Sequence, residues 1–176
     1  MTTLSRQDLF ARLVAIDSTS SRSNLGVVDL LSEVLERPGV RLHRHSEAEK
    51  ANLVAFLGPP VGEDRQGLIL SGHTDVVPAL ESDWESPPFA LTERDNHWYG
   101  RGTADMKGFL ALATDLAARL DLHSLKAPLV LIFTHDEEVG TLGAQRLARD
   151  WSNGRSPEPL PTACVIGEPT SLQVIR

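Results

Sequence analysis

Four short polar clusters carry the residues that could do chemistry: Ser71-Gly72-His73-Thr74-Asp75, Thr103-Ala104-Asp105, Thr134-His135-Asp136-Glu137-Glu138 and Gly167-Glu168-Pro169-Thr170. A histidine among carboxylates is a donor set for Zn2+, Co2+ or Mn2+ rather than for copper or an iron–sulfur cluster. His73 and Asp75 are two apart. In an extended segment their side chains point to one side, so the Asp can hold the ring nitrogen that a ligating His leaves free. A surface or N-cap His-x-Asp pair has the same spacing. Asp105 falls where a helix begins, a common place for an N-cap Asp, yet its two oxygens can also bridge two cations. Gly100 and Gly102 before it permit a close backbone approach. Asp136, Glu137 and Glu138 repel one another, and a bound cation reverses the sign of that effect. One Glu can then bind while its neighbour faces an attacking water as general base. A solvated acidic loop is the alternative. Glu168, before Pro169, reads by itself as a turn residue.

These clusters need a scaffold, and the hydrophobic pattern predicts one. Ser5 to Ile16 reads as a capped helix with Leu9, Leu13 and Ile16 on one face. Leu25 to Leu35 is a second, with Val27, Leu30, Leu31, Val34 and Leu35 at helical spacing and Pro38-Gly39 ending it. Val40 to His45 alternates as a half-buried strand does, and Asn52 to Leu57 follows as another. Gly67 to Ser71, Pro128 to Phe133 and Thr162 to Ile166 read as strands buried on both faces. Phe109, Leu112, Ala113, Leu116, Ala117 and Leu120 form the stripe of a helix that starts near Asp105, and Thr141 to Asp150 is a further helix. Leu172 to Arg176 begins another element. The alternation predicts an α/β domain whose central sheet is largely parallel and flanked by helices. In such sheets, sites collect at the carboxyl ends of strands. Three of the four clusters follow an apolar strand and the fourth starts a helix. No phosphate loop is present: Gly100-x-Gly102 lacks a third glycine and the Walker spacing is absent.

The bulk properties narrow the function classes. The chain has 176 residues, 41% hydrophobic and 23% charged, which suits one folded domain. A net charge of -7 argues against nucleic acid or an anionic membrane as partner. The single cysteine, Cys164, allows no internal disulfide, and its apolar surroundings Ala163, Val165 and Ile166 predict a buried, inert thiol. A reducing cytoplasm fits. Residues 1–12 have no apolar signal core, and no stretch approaches membrane-spanning length.

Taken together, Ser71-Gly72-His73-Thr74-Asp75-Val76-Val77-Pro78, Tyr99-Gly100-Arg101-Gly102-Thr103-Ala104-Asp105-Met106-Lys107-Gly108, Asp136-Glu137-Glu138 and Gly167-Glu168-Pro169-Thr170 resemble the M20 family of metallopeptidases and deacylases, over nearly the whole chain. Leu91-Thr92-Glu93 and the extension Ser171-Leu172-Gln173 are most similar to the deacetylases of N-acetylornithine. The resemblance implies a zinc-exopeptidase-like catalytic domain with two Zn2+ ions, Co2+ being a substitute. It implies that His73 and Glu168 bind one ion and Glu138 the other, that Asp105 bridges them, that Asp75 orients His73, and that Glu137 is the general base. The implied reaction removes an acyl group, acetyl foremost, from a small N-acylated amino acid such as N-acetylornithine in arginine biosynthesis. A desuccinylase or peptidase of the same family is the alternative. Members are about twice as long as this chain. They carry a smaller domain for dimerisation and then a return segment that supplies the last ligand histidine. Residues 1–176 are therefore expected to be the N-terminal part of the catalytic domain, inactive alone, within a homodimeric full-length enzyme. His43, His45, His97, His123 and His135 lie outside the matching motifs, and His135, near the site in sequence, is expected to support the ligands from behind or to be structural. Arg101 and Lys107 are expected to pack or to pair with carboxylates.

Overall fold

The computed structural model describes residues 4–64, 66–171 and 173. The segment Leu172 to Arg176, expected to begin a further element, lies outside the described residues except for Gln173. The elements run α1 (Arg6–Ala15), α2 (Leu25–Leu35), β1 (Val40–Glu47), β2 (Lys50–Leu57), β3 (Leu68–His73), β4 (Thr92–Arg94), β5 (His97–Tyr99), α3 (Gly108–Arg119), β6 (Leu129–Thr134), α4 (Leu142–Ser152) and β7 (Cys164–Ile166).

Strand order is β1-β2-β6-β3-β7. β6, β3 and β7 run parallel, and β1 and β2 form an antiparallel hairpin added beside β6. The fold is thus α/β with a mixed sheet whose parallel part lies under the polar clusters. α1, α2 and α3 cover one face through Leu9, Leu13, Val27, Leu31, Leu110 and their neighbours. α4 covers the other with Leu147 against Val54, Phe56, Val130 and Ile132. Covering on both faces explains why β2 and β6 read as continuous apolar runs rather than alternating ones. Ser5 caps α1 by accepting the Asp8 N–H at 3.1 Å, as its sequence position suggests. Among the described residues no helix is long and apolar enough to cross a membrane.

Several expectations need correction. Cys164 is exposed, and so is the whole of β7, with Ile166 at 63%. Among the described residues β7 is an edge strand bonded only to β3, so its apolar composition does not by itself bring burial. β3 is correspondingly less covered than a central strand: Leu68 is exposed and Leu70 half-buried. The stripe on α3 is rotated: Leu110, Ala113 and Ala117 are buried, whereas Leu112 and Leu116 face outward. Asp105 does not open α3. It lies in the irregular turn Thr103–Lys107, where Asp105 and Met106 leave helical geometry and the Asp105–Met106 peptide is cis. The β4–β5 hairpin was not foreseen, though Asp95-Asn96 carries its signature, both residues being left-handed at φ 51° and 60°.

Candidate metal centre

Register places the clusters side by side. β3 and β6 are parallel neighbours with His73 opposite Thr134, so the chain leaving each strand emerges at the same edge. Thr74 extends the pairing by donating its N–H to the Thr134 carbonyl at 2.8 Å. On the other side Ser71 lies opposite Ile166, and the Gly167 N–H donates to the Ser71 carbonyl at 3.1 Å. Glu168, two residues beyond Ile166, therefore comes level with His73. The fourth cluster arrives through a close approach. A Cβ on Gly72 would lie 2.8 Å from Met106 Cε, so glycine there lets the Asp105 turn pack on β3. Gly102 enters that turn at φ 81°, a conformation other residues rarely adopt.

His73 is the hub and is buried to 1% exposure. Its Nε2 lies 2.9 Å from Asp105 Oδ1, 3.7 Å from Glu168 Oε1 and 4.0 Å from Glu137 Oε2. Two sets of donor atoms each lie within 4.8 Å of one another: His73, Asp105 and Glu168, and His73, Glu137 and Glu138. All six residues singled out in the sequence thus meet at one strand edge. Asp75 reaches His73 chiefly through its main chain, with Nδ1 2.9 Å from the Asp75 carbonyl and 3.6 Å from its carboxylate. The carboxylate turns instead to Ser20, whose hydroxyl donates at 2.7 Å, and to the N–H groups of Glu137 and Glu138 at 3.0 and 3.3 Å.

The electrostatics are those of a centre short of positive charge. Burial acts to lower the His73 imidazole, but the Asp75, Asp105 and Glu168 carboxylates outweigh it and hold the ring above its ordinary value. Burial, reinforced by Asp105, pushes Glu138 up against the pull of His73. Glu168 is pushed up by burial as well, His73 opposing and Asp105 and Glu137 adding to it. An imidazole nitrogen and several crowded carboxylate oxygens are what a divalent cation of the Zn2+ or Co2+ type binds, so the donor chemistry fits.

The supporting residues were mostly missed. Asn24 is buried between Ala51, whose N–H and carbonyl it bonds, and the Thr74 hydroxyl. Lys50 donates to the Ser20 carbonyl at 2.5 Å and to the Asp136 carboxylate. Asn52 accepts the His135 N–H at 3.1 Å and donates to the Gly143 carbonyl at 2.9 Å. The available signal was a pair of polar residues, Lys50 and Asn52, alternating with apolar ones at the start of a buried strand. His135 is buried, its Nδ1 3.0 Å from Asp136 Oδ2, in keeping with a structural role. Lys107 is also buried. It donates to the Ile16 carbonyl at 2.6 Å rather than to a carboxylate of the centre, and burial, opposed by Asp17, lowers its ammonium to about 8. Arg101 lies 5.2 Å over the Trp84 ring.

Known proteins give the arrangement a lineage. The acetylornithine deacetylase of Pasteurella multocida (strain Pm70) is 42% identical over 92% of this chain and 41% of its own length. That of Edwardsiella ictaluri (strain 93-146) is 40% identical over 96% of the chain and 44% of its own length. The chain therefore spans about two fifths of the curated relatives it matches. Among solved structures, human carnosine dipeptidase 1 superposes with a TM-score of 0.70 at 22% identity, over 92% of this chain and 38% of that one. An M20 family metallo-carboxypeptidase from Sulfolobus solfataricus gives 0.70 at 18% identity, over 92% and 37%. These two likenesses speak for the fold. The family model described as peptidase family M20/M25/M40 matches residues 69–176, which include every one of the four clusters, and the chain belongs to that family.

Proposed function

We propose that the whole protein is a metal-dependent amidohydrolase that removes an acyl group, acetyl foremost, from a small N-acylated amino acid such as N-acetylornithine, as a cytoplasmic step of arginine biosynthesis. The observation that carries this reading is the meeting of Asp105, Glu137 and Glu168 around Nε2 of the buried His73. Relatives named acetylornithine deacetylase at about 40% identity support the substrate class. His73, Asp105, Glu138 and Glu168 would hold two divalent cations, Zn2+ or Co2+, which supply a Lewis acid for the amide carbonyl and its developing oxyanion. Asp75 fixes the main chain of the acidic turn and so the positions of Glu137 and Glu138. Glu137, part-exposed at the rim, takes a proton from the attacking water and returns it to the leaving amine. The relatives' remaining length would contain a smaller dimerisation domain, substrate contacts and a further ligand histidine, giving a homodimer whose partners are small molecules rather than nucleic acid or membrane.

The test is amine release by the full-length protein from a panel of N-acetyl and N-succinyl amino acids and dipeptides, with metal analysis of the same sample. Chelator-sensitive release of ornithine from N-acetylornithine is expected. Cleavage of dipeptides alone would instead favour a peptidase of the same family.

A further inference from the structure

We propose that Lys50 is a positioning residue for the acidic turn, acting by keeping Asp136 neutralised and turned away so that only Glu137 and Glu138 face the centre. The inference rests on the metal-centre reading above. Three consecutive acids follow β6, and nothing in their sequence says which of them face a cation. The structure separates them. Asp136 adopts a left-handed backbone at φ 54°, which an Asp tolerates better than most residues. Its carboxylate is 13% exposed and lies between two partners, Lys50 Nζ on one oxygen and His135 Nδ1 on the other. Lys50, 17% exposed, opens β2, the strand next to β6, and reaches across to the turn.

The same ammonium also holds the Ser20 carbonyl, and the Ser20 hydroxyl donates to Asp75 Oδ2. Asp75 in turn accepts the N–H groups of Glu137 and Glu138. Lys50, Asp136, the Glu137 main chain, Asp75 and Ser20 therefore close a ring around the acidic turn, with Lys50 as its one cation. Without that cation the ring gains an uncompensated, largely desolvated carboxylate beside acids that already crowd one another, and such a charge is costly. A freed Asp136 then competes with Glu138 for a bound ion.

The full-length protein is compared with its Lys50→Met, Asp136→Asn and Lys50→Met/Asp136→Asn variants. The readouts are the visible spectrum and affinity of added Co2+, and kcat and KM on N-acetylornithine. Lys50→Met is expected to alter the Co2+ spectrum and lower kcat about tenfold or more, with KM changing less than about threefold. Adding Asp136→Asn is expected to restore the spectrum and most of kcat, because it removes the charge that Lys50 had balanced. An unchanged Lys50→Met protein overturns the proposal. A double variant as impaired as Lys50→Met overturns it as well, since the loss is then one of packing. A Lys50→Met chain that folds only when Asp136→Asn accompanies it supports the proposal, and one that folds in neither background overturns it. If the unmodified protein hydrolyses no N-acyl amino acid, the amidohydrolase reading fails while the Co2+ spectra still judge Lys50.

Discussion

Asp75 Oδ1 accepts the main-chain N–H of Glu137 at 3.0 Å, fastening the end of β3 to the acidic turn that leaves β6. The two strands are parallel neighbours, so nothing in the ladder itself fixes the chain beyond Thr134. The clamp does so from a fully buried carboxylate, which also takes the Glu138 N–H and the Ser20 hydroxyl. The geometry of the two glutamates is in this way set by a residue that points at neither of their side chains.

Asp75→Ala leaves those three part-buried donors without their acceptor. Each unpaired group costs about 1–3 kcal/mol, so the described fold is expected to lose roughly 3 kcal/mol or more in urea unfolding. Asp75→Asn keeps one oxygen and should lose less. In both, Co2+ or Zn2+ affinity is expected to fall about 10–100-fold, as for other groups that orient ligands. Wild-type metal affinity in Asp75→Asn would show that the clamp does not position the site.

Glu137 and Glu138 share one turn but are assigned different work, and paired substitutions separate them. In the full-length protein, Glu137→Gln is expected to keep its metal content while kcat falls about 10²–10⁴-fold, the usual contribution of a general base. Glu138→Gln is expected to lose metal and activity together. Metal analysis and steady-state kinetics on the same samples check both. Metal loss in Glu137→Gln would move the base to another residue.

The sequence made the parallel core and the polar strand ends legible because apolar runs that stop at a His or an acid are local patterns. Burial of β7 was misjudged for a physical reason: Cys164, Val165 and Ile166 look like a core strand in composition, and only the strand order reveals an edge. Asp105 was misplaced on a helix because periodicity cannot show the irregular turn that precedes α3. Ser20, Lys50 and Asn52 act on residues 55 to 86 positions away, and a single sequence carries no record of such pairings.

The raised values of His73, Glu138 and Glu168 imply that cations must displace protons from the centre. A group raised above its unfolded value stabilises the metal-free fold at low pH, and that contribution is lost as pH rises through the folded value. For these groups the window runs from the ordinary Glu value near about 4.3 to above the ordinary His value of about 6.5. Metal-free protein is therefore expected to lose stability across this window as metal affinity grows. Melting curves with and without Zn2+ at stepped pH should diverge as pH rises, and a constant separation would contradict the proton–metal competition.

Asp115 provides a control away from the centre with the opposite sign. It is buried on α3 and bonded by Arg119 at 2.6 Å and by Arg6 of α1 at 2.9 Å. Burial would raise its carboxyl, but the hydrogen bonds and charges of Arg119 and Arg6 hold it below the ordinary range. A depressed value means that the stabilisation is present above the unfolded value of about 3.9 and is lost as pH falls through the folded one. Arg6 and Arg119 are 60% and 52% exposed, so solvent screens the pairing. Its worth is set at about 1 kcal/mol rather than the 3–5 of a fully buried pair. Asp115→Asn, which cannot ionise, should therefore be about 1 kcal/mol less stable than the unmodified chain near neutral pH. The gap should narrow as pH falls below about 3.9 and close only below the depressed folded value, where the native carboxyl is neutral as well. Urea unfolding at stepped pH reads that gap directly, and a gap that stays constant into acid would mean that Asp115 contributes through packing rather than charge.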